Sequence, residues 1–391
     1  MPEEPARMTV AVAHPSADLY GSDLQLLESI RGLHGAGWRV VVTLPGDGPL
    51  TPRLEEAGAE VHLRPVPVLR KSLLTPLGLV RLAAASLRAL PGMCRWLRRV
   101  DATVVYVNTV TVPLWLVAAG LVRRPALAHV HEAEQGGRLV SAGLNAPLLA
   151  SRTVVVNSRA AAEVVRAALP AIARRTTVVH NGVSGPSAQP APPVRDAAGT
   201  RRVVVVGRLS PRKGIDVAVE AVARLRADGR PVELELCGTV FPGYEWYEAE
   251  LRERAARPDL AGAVTFSGYV SPTWPALARA EVVLVPSRAE PFGNVAVEAQ
   301  LAGRPVIASG VQGLREIVTD GVTGLLVPAD DPAALATAVG RLLDDDDFAA
   351  RLAAAGRASA LERFTPERYR AAVVEAVRQT ARARGHGAAT G

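Results

Sequence analysis

Two carboxylates flank a Pro-Phe-Gly turn in "SRAEPFGNVAVEAQ" (287–300): Glu290 precedes it and Glu298 follows, with seven residues between them. The apolar run "EVVLVPS" ahead of the turn reads as a strand and the stretch after it as a helix. Glu290 therefore belongs to a loop at a strand's carboxyl end, and Glu298 lies about one turn into the helix. At about 1.5 Å per helical residue, both fall within the span of one small ligand. Carboxylates accept paired hydrogen bonds from vicinal hydroxyls, so one could hold a ribose and the other a sugar. Taken singly, Glu298 reads as an acid beside the positive end of a helix, and Glu290 as an exposed loop acid.

A second strand end carries the opposite charge. "VVVVGRLSPRKGID" (203–216) leaves a strand into a loop with Arg208 and Lys213 just before a helix. A helix start attracts anions through its N–H groups, and two cations there could hold a diphosphate. The spacing is not that of a P-loop, and no GxGxxG fingerprint occurs. Farther upstream, "AHVHEAEQGG" (128–137) ends a strand with His129 and His131 on one face. A metal site would need a third ligand, and none stands at a suitable spacing. A histidine at a strand end could instead donate to, or take a proton from, a hydroxyl. Gly21, in "DLYGSDLQLL", precedes a helix and would let backbone approach a phosphate.

These residues need a scaffold that gathers strand ends. Valine-rich runs without strict alternation, such as "MTVAVAH" (8–14), "DATVVYVN" (101–108) and "RTVVVNS" (152–158), suit strands buried on both faces of a parallel sheet. Helical patterns alternate with them. The rhythm breaks at the proline-rich "NGVSGPSAQPAPPVRDAAGT" (181–200) and restarts at residue 201. Two α/β units with a cleft between them are expected, with ligands beyond the carboxyl ends of the strands. Ser210-Pro211, Ser271-Pro272 and Asp331-Pro332 each read as a cap followed by proline at the first helical position. Asn294 reads as the cap of the helix bearing Glu298.

Bulk composition narrows the classes. In 391 residues, 49% hydrophobic content indicates a globular chain, and two distant cysteines fit a reducing compartment without a disulfide scaffold. The start "MPEEPARMTVAVAHP" lacks the basic end and apolar run of a signal peptide, and "VPLWLVAAGLV" (112–122) is too short to span a bilayer. A cytoplasmic protein is expected. The net charge of +7 is carried mostly by arginine and permits phosphate or acidic-membrane contact. A basic strip, 69–99, holds Arg81 and Arg88 on one helical face, with Arg95, Trp96, Arg98 and Arg99 after Pro91. It suits a peripheral membrane element as well as it suits an ordinary surface helix. Scarce aromatics disfavour nucleic acid.

Together these features resemble the retaining, nucleotide-sugar-dependent family 4 glycosyltransferases. The resemblance covers nearly the whole chain and is densest in "GRLSPRKGID", "GYVSPTWPALARAEVVLVPSRAEPFGNVAVEA" and "GRPVIAS…GLREIVTDGVTGLLVPADDPAAL". It implies a GT-B fold, two Rossmann-like doubly wound domains facing each other across a cleft. The expected division is an acceptor-side domain at 1–185, a linker at 186–200 and a nucleotide-sugar-binding domain at 201–365. A helix at 366–384 would cross back to the first domain, and a tail at 385–391 would be disordered.

The resemblance also implies roles. Arg208 and Lys213 would bind the donor diphosphate, Glu298 the ribose hydroxyls and Glu290 the transferred sugar, beside backbone N–H groups of Phe292, Gly293 and Asn294. Tyr269 and Val270 would border the base, His131 would stand near the donor sugar, and Gly21 near the phosphates. The donor would be a UDP- or GDP-sugar, and the acceptor a glycan, a lipid-linked or a small molecule. No metal or other cofactor is implied. Alternatives are a sugar-nucleotide epimerase, an inverting transferase and a non-catalytic sugar-nucleotide-binding subunit. Two departures stand out: "LYGSD" has one glycine where a pair is common, and "HNGVS" has His180 and Ser184 in place of proline and aspartate.

Overall fold

The computed structural model describes residues 8–69, 75–131, 143, 145–188, 191–192 and 199–382. Arg70 and Lys71 of the basic strip, much of the 186–200 linker and the 385–391 tail lie outside the described residues. By its internal contacts the chain divides into two units, residues 1–182 with 366–391, and residues 183–365.

The first unit holds a seven-stranded sheet of β1 (Thr9–Ala13), β2 (Arg39–Leu44), β3 (Ala59–Leu63), β4 (Val104–Val107), β5 (Ala126–Val130), β6 (Thr153–Val156) and β7 (Thr176–Val178). Its order is β3-β2-β1-β4-β5-β6-β7, and every pairing is parallel. β1, β4 and β5 are buried along their whole length, which is why their valines do not alternate with polar residues. The register pairs Ala13 with Val107 and Val107 with Ala128, so the carboxyl ends of these three strands lie side by side.

Helix Gly21–Gly35 buries Leu26, Leu27, Ile30 and Leu33 at helical spacing. The last helix, Pro366–Arg382, packs against it. Tyr369 OH sits 2.7 Å from Ser29 Oγ, and Arg370 Nε donates to Glu28 at 2.7 Å. The 24-residue helix Pro76–Arg99 runs through Pro91 without a break. Met93, Trp96 and Leu97 anchor its end in the core, and the Trp96 indole donates to His62 at 2.8 Å. Trp96, read as part of the basic strip, is therefore a core residue. Arg81, Arg88 and Arg95 are exposed, as are Leu77, Val80 and Leu87.

The second unit holds a six-stranded parallel sheet of β8 (Arg201–Val206), β9 (Val232–Cys237), β10 (Val264–Gly268), β11 (Val282–Val285), β12 (Val306–Ser309) and β13 (Leu325–Val327), ordered β10-β9-β8-β11-β12-β13. The three expected caps differ in outcome. Asp331 accepts from Ala334 N at 2.9 Å and starts helix Pro332–Asp344 as expected. Ser210 adopts the cap position without a side-chain bond. Ser271-Pro272 starts no helix: the next one is Trp274–Arg279, with Thr273 at its cap position. Asn294 is the first residue of helix Asn294–Leu301 rather than its cap, and Gly293 takes the cap position at φ +118°, a conformation glycine holds at least cost. Both cysteines are buried and unpaired.

Candidate active site

In the second unit the loops after β8 and β11 meet. Lys213 closes the short turn Pro211–Lys213, and its ammonium donates to Glu290 at 2.5 Å. Ser287 Oγ donates to the same carboxylate at 3.2 Å. Gln312 accepts from Glu290 N at 2.7 Å, and Gly313 N donates to Glu290 O at 3.1 Å, fixing the backbone. Lysine is the rare cation here, since Lys71 and Lys213 are the chain's two lysines. An ammonium is a compact point charge with three donors, so it can hold Glu290 and still donate to a phosphate oxygen.

The two acids of the opening motif are pulled apart electrostatically. Burial alone pushes the Glu290 carboxyl up, but the charges of Lys213 and Arg212 and the bonds from Lys213 and Ser287 hold it below its usual range. Burial raises Glu298 above its usual range, against a hydrogen bond from Thr273 and the charge of Lys213. Thr273 Oγ1 supplies that bond at 3.0 Å. For Glu290 the sign is stabilising above the ordinary carboxyl pKa and lost as pH falls through the lowered one. For Glu298 the protonated form is favoured on folding, and that contribution fades as pH rises through the raised pKa.

Several of the braces escaped sequence reasoning. Arg288 grips Asp216 with two bonds, 2.9 and 2.7 Å, and also meets Pro211 O and Asp330. Tyr247 donates to Asp216 at 2.6 Å. This network ties the Lys213 loop to the Glu290 loop, but nothing in the spacing of Asp216, Tyr247 and Arg288 links them. Arg208 lies with its guanidinium 3.7 Å from the centre of the Phe241 ring. Phe292 is a core side chain set edge-on against Phe364, so any ligand contact from it must come through its backbone. Tyr269 and Val270 follow β10, with Tyr269 exposed.

Gly21 and His131 belong to the first unit. Gly21 opens the helix whose third residue, Asp23, is 1% exposed. Asp23 accepts from Tyr20 N at 2.7 Å, from Ser16 Oγ at 3.0 Å and faces His14 Nε2 at 2.6 Å. His14 Nδ1 lies 3.1 Å from Asn108 Nδ2, and Asn108 Oδ1 lies 2.9 Å from His131 Nε2. His14, Asn108 and His131 follow the adjoining ends of β1, β4 and β5. His129 and His131 do share a face, with ring centres 4.2 Å apart, and His129 Nδ1 meets Tyr106 OH at 2.6 Å. Burial, joined by the charge of His14 and opposed by Asp23, pushes the His131 imidazole down to about 3. Burial and then His131 push His129 well below its usual value. Both rings are neutral at neutral pH.

Two family models match the chain: "Glycosyl transferase 4-like domain" over residues 21–182 and "Glycosyl transferases group 1" over residues 200–345. Among curated proteins it is 36% identical to glycogen synthase of Mycobacterium tuberculosis over 183 residues, 46% of this chain and 43% of that protein. It is 34% identical to D-inositol 3-phosphate glycosyltransferase of Xylanimonas cellulosilytica over 283 residues, 67% of this chain and 65% of that one. The chain thus spans less than two thirds of these relatives. Among solved structures, Anabaena HepE in complex with UDP and glucose superposes with a TM-score of 0.77 at 24% identity, covering 97% of this chain and 100% of that one. Sucrose-phosphate synthase from Thermosynechococcus elongatus gives 0.76 at 24%, covering 96% and 100%. The two parallel α/β units are those of the GT-B fold.

Proposed function

The chain belongs to the glycosyltransferases of the group 1 and 4-like kind, and on that premise we propose that it moves a sugar from a UDP- or GDP-sugar to an acceptor with retention at the anomeric carbon. The observation that carries this reading is the Lys213–Glu290 contact, with Glu298 near enough for Lys213's charge to act on it. Breaking the bond between anomeric carbon and phosphate oxygen builds negative charge on the diphosphate. Fixed cations at Lys213 and Arg208 stabilise that charge as it grows. The acceptor oxygen then bonds to the anomeric carbon from the same face, and its proton passes to the leaving phosphate. Glu290 holds the sugar and does not form a covalent intermediate. Glu298 takes the ribose hydroxyls.

With two cations facing the leaving group, the reaction needs no metal. The test is a nucleotide-release screen over UDP-, GDP-, ADP- and dTDP-sugars with and without EDTA. The fold relative holding UDP and glucose makes UDP-glucose the first donor to try. The expected outcome is acceptor-dependent release from one or two donors, unchanged by EDTA. No turnover with any donor contradicts the transferase reading, and loss in EDTA contradicts metal independence.

The acceptor we favour is a glycan or lipid-linked molecule at a membrane surface, as in exopolysaccharide or cell-envelope assembly. Exposed Leu77, Val80 and Leu87 interleave with exposed Arg81 and Arg88 on one helix, an apolar and cationic combination suited to an anionic bilayer. Among the described residues no helix is long and apolar enough to cross a membrane. Reversing the charge of Arg81, Arg88 and Arg95 together should weaken flotation with anionic vesicles by about tenfold or more. Unchanged flotation removes the membrane proposal and leaves the donor site untouched.

A further inference from the structure

We propose that a cavity at the amino edge of the first unit's sheet is an anion site for a phosphomonoester or diphosphate group. It encloses about 550 Å³, and its walls carry Arg123, Arg124, Arg152 and Arg175 beside Ser151 and Leu149. Among the described residues that line it there is no acid. Arg123 and Arg124 come just before β5, Arg152 just before β6 and Arg175 just before β7, three neighbouring strands. Arg152 N donates to Ala126 O at 2.7 Å, which keeps the first two strand starts level. His14, Asn108 and His131 follow the carboxyl ends of their strands, so the cavity lies at the other edge of the sheet from that cluster. It does not depend on the transfer reading above.

The arginines are placed to hold a multiply charged anion. Arg175 Nη1 donates to Ser151 O at 2.8 Å, and Arg124 Nη2 to Asp101 at 2.9 Å. A carbonyl brings no net charge, and the Asp101 side chain is 85% exposed, so water screens most of what it offers. These two bonds steer the guanidiniums and leave them further N–H donors. A concave surface of one sign concentrates its field on whatever enters. Planar guanidinium forks match the oxygens of a phosphate in pairs. A phosphomonoester brings about two negative charges and three acceptor oxygens, against one charge and two oxygens for a carboxylate, and so answers the four guanidiniums better. The volume leaves room for the organic part of the ligand against Leu149, which is exposed.

Backbone strain points to the same place. Among the described residues, four non-glycine residues hold φ in the left-handed region: Asp101, Arg123, Gln312 and Asp330. The last two serve the Glu290 and Arg288 backbone and side chain, Gln312 through Glu290 N and Asp330 through Arg288. The first two stand directly after Val100 and Val122, the C-caps of helices Pro76–Arg99 and Leu114–Leu121. At the same position after helices Gly21–Gly35, Leu50–Glu56, Ile215–Ala227 and Asn294–Leu301 the chain places glycine: Gly37, Gly58, Gly229 and Gly303. Glycine ends a helix this way at least cost. Arginine at position 123, with φ +56°, accepts that strain and puts a guanidinium into the cavity wall. Aspartate at position 101, with φ +48°, steers Arg124.

Inorganic pyrophosphate is the probe, and backbone amide NMR of the deuterated full chain reads where it binds. Signals of Arg124, Ser151, Arg152 and Arg175 should move together as pyrophosphate is added, whether or not those of the Lys213 loop also move. Arg123→Gly removes one guanidinium and relieves the strained φ, so it should fold at least as well as the wild type. Combined with Arg152→Ala, also at an exposed side chain, it should lower the affinity read at the cavity by about tenfold or more. Any shifts at the Lys213 loop should be unchanged by the two substitutions. Cavity amides that stay still, or that move with equal affinity in both proteins, overturn the site. Flotation then separates the sources of the phosphate. A preference for phosphatidic acid over phosphatidylserine vesicles of equal surface charge, lost in the double variant, assigns a lipid headgroup. A preference that is absent, or that survives in the variant, assigns a soluble ligand when the cavity shifts are intact.

Discussion

Replacing Lys213 with alanine is expected to lower kcat by about 10²–10³-fold, the cost of removing a fixed charge aimed at a developing anion. The donor's KM should rise less, because Arg208 remains to hold the diphosphate. Lys213→Arg should recover only part of the rate. A guanidinium is planar and larger, and the space beside Glu290 accommodates an ammonium at 2.5 Å. Steady-state kinetics of the three proteins check this. The alanine variant should also be less stable at neutral pH by roughly 3 kcal/mol, since it leaves a buried carboxylate without its cation. Its Glu290 pKa then rises, because burial is opposed only by Arg212 and Ser287. The stability deficit relative to wild type should therefore shrink as pH falls through that raised pKa. Urea unfolding at neutral pH and in mild acid measures it, and a deficit that grows in acid would reverse the sign of the argument.

Gly214→Ala should be the most damaging small substitution next to the site. Gly214 sits at φ +63°, between the turn that ends at Lys213 and helix Ile215–Ala227. A side chain in that left-handed conformation costs about 1–2 kcal/mol. Its Cβ would also lie 2.0 Å from the carbonyl oxygen of Pro286, the residue that follows β11 on the way to Glu290. Relieving an overlap of that kind costs roughly 1–3 kcal/mol more and must part the two loops that carry Lys213 and Glu290. A total of about 2–5 kcal/mol corresponds to a fall in Tm of about 10 °C for a unit of this size. Gly229→Ala is the matched control: φ is +78°, but its Cβ would meet nothing within 4 Å. It should lose only the conformational part, about 1–2 kcal/mol. Equal losses in the two variants would mean that the close approach at Pro286 contributes nothing.

Much of this architecture was legible before any coordinates. The valine-rich runs ending at His14, Asn108 and Val206 are strands, because a run buried on both faces leaves its mark in composition. Glu290 and Glu298 fall where the strand-turn-helix reading puts them. Some helix starts were misread for local reasons: Gly293 rather than Asn294 takes the cap position because the chain turns there with positive φ, and the helix after Ser271-Pro272 begins only at Trp274. Trp96 looked like part of a basic surface because its neighbours are arginines, while helical periodicity turns its own side chain inward. The long-range pairings were not legible. Asp216 and Arg288 are 72 positions apart, and His14 and Asn108 are 94 apart. Each pair is joined by parallel strand order, which sequence spacing does not encode.

In the transfer we propose, Lys213, held against Glu290, receives the diphosphate of a nucleotide-sugar without help from a metal. The most direct measurement is calorimetric titration of UDP and of GDP into the wild-type chain and into Lys213→Ala, in EDTA. One of the two nucleotides is expected to bind the wild type, with affinity at least tenfold lower in the variant. Binding of equal strength in both proteins, or none by the wild type until a divalent metal is added, would contradict it.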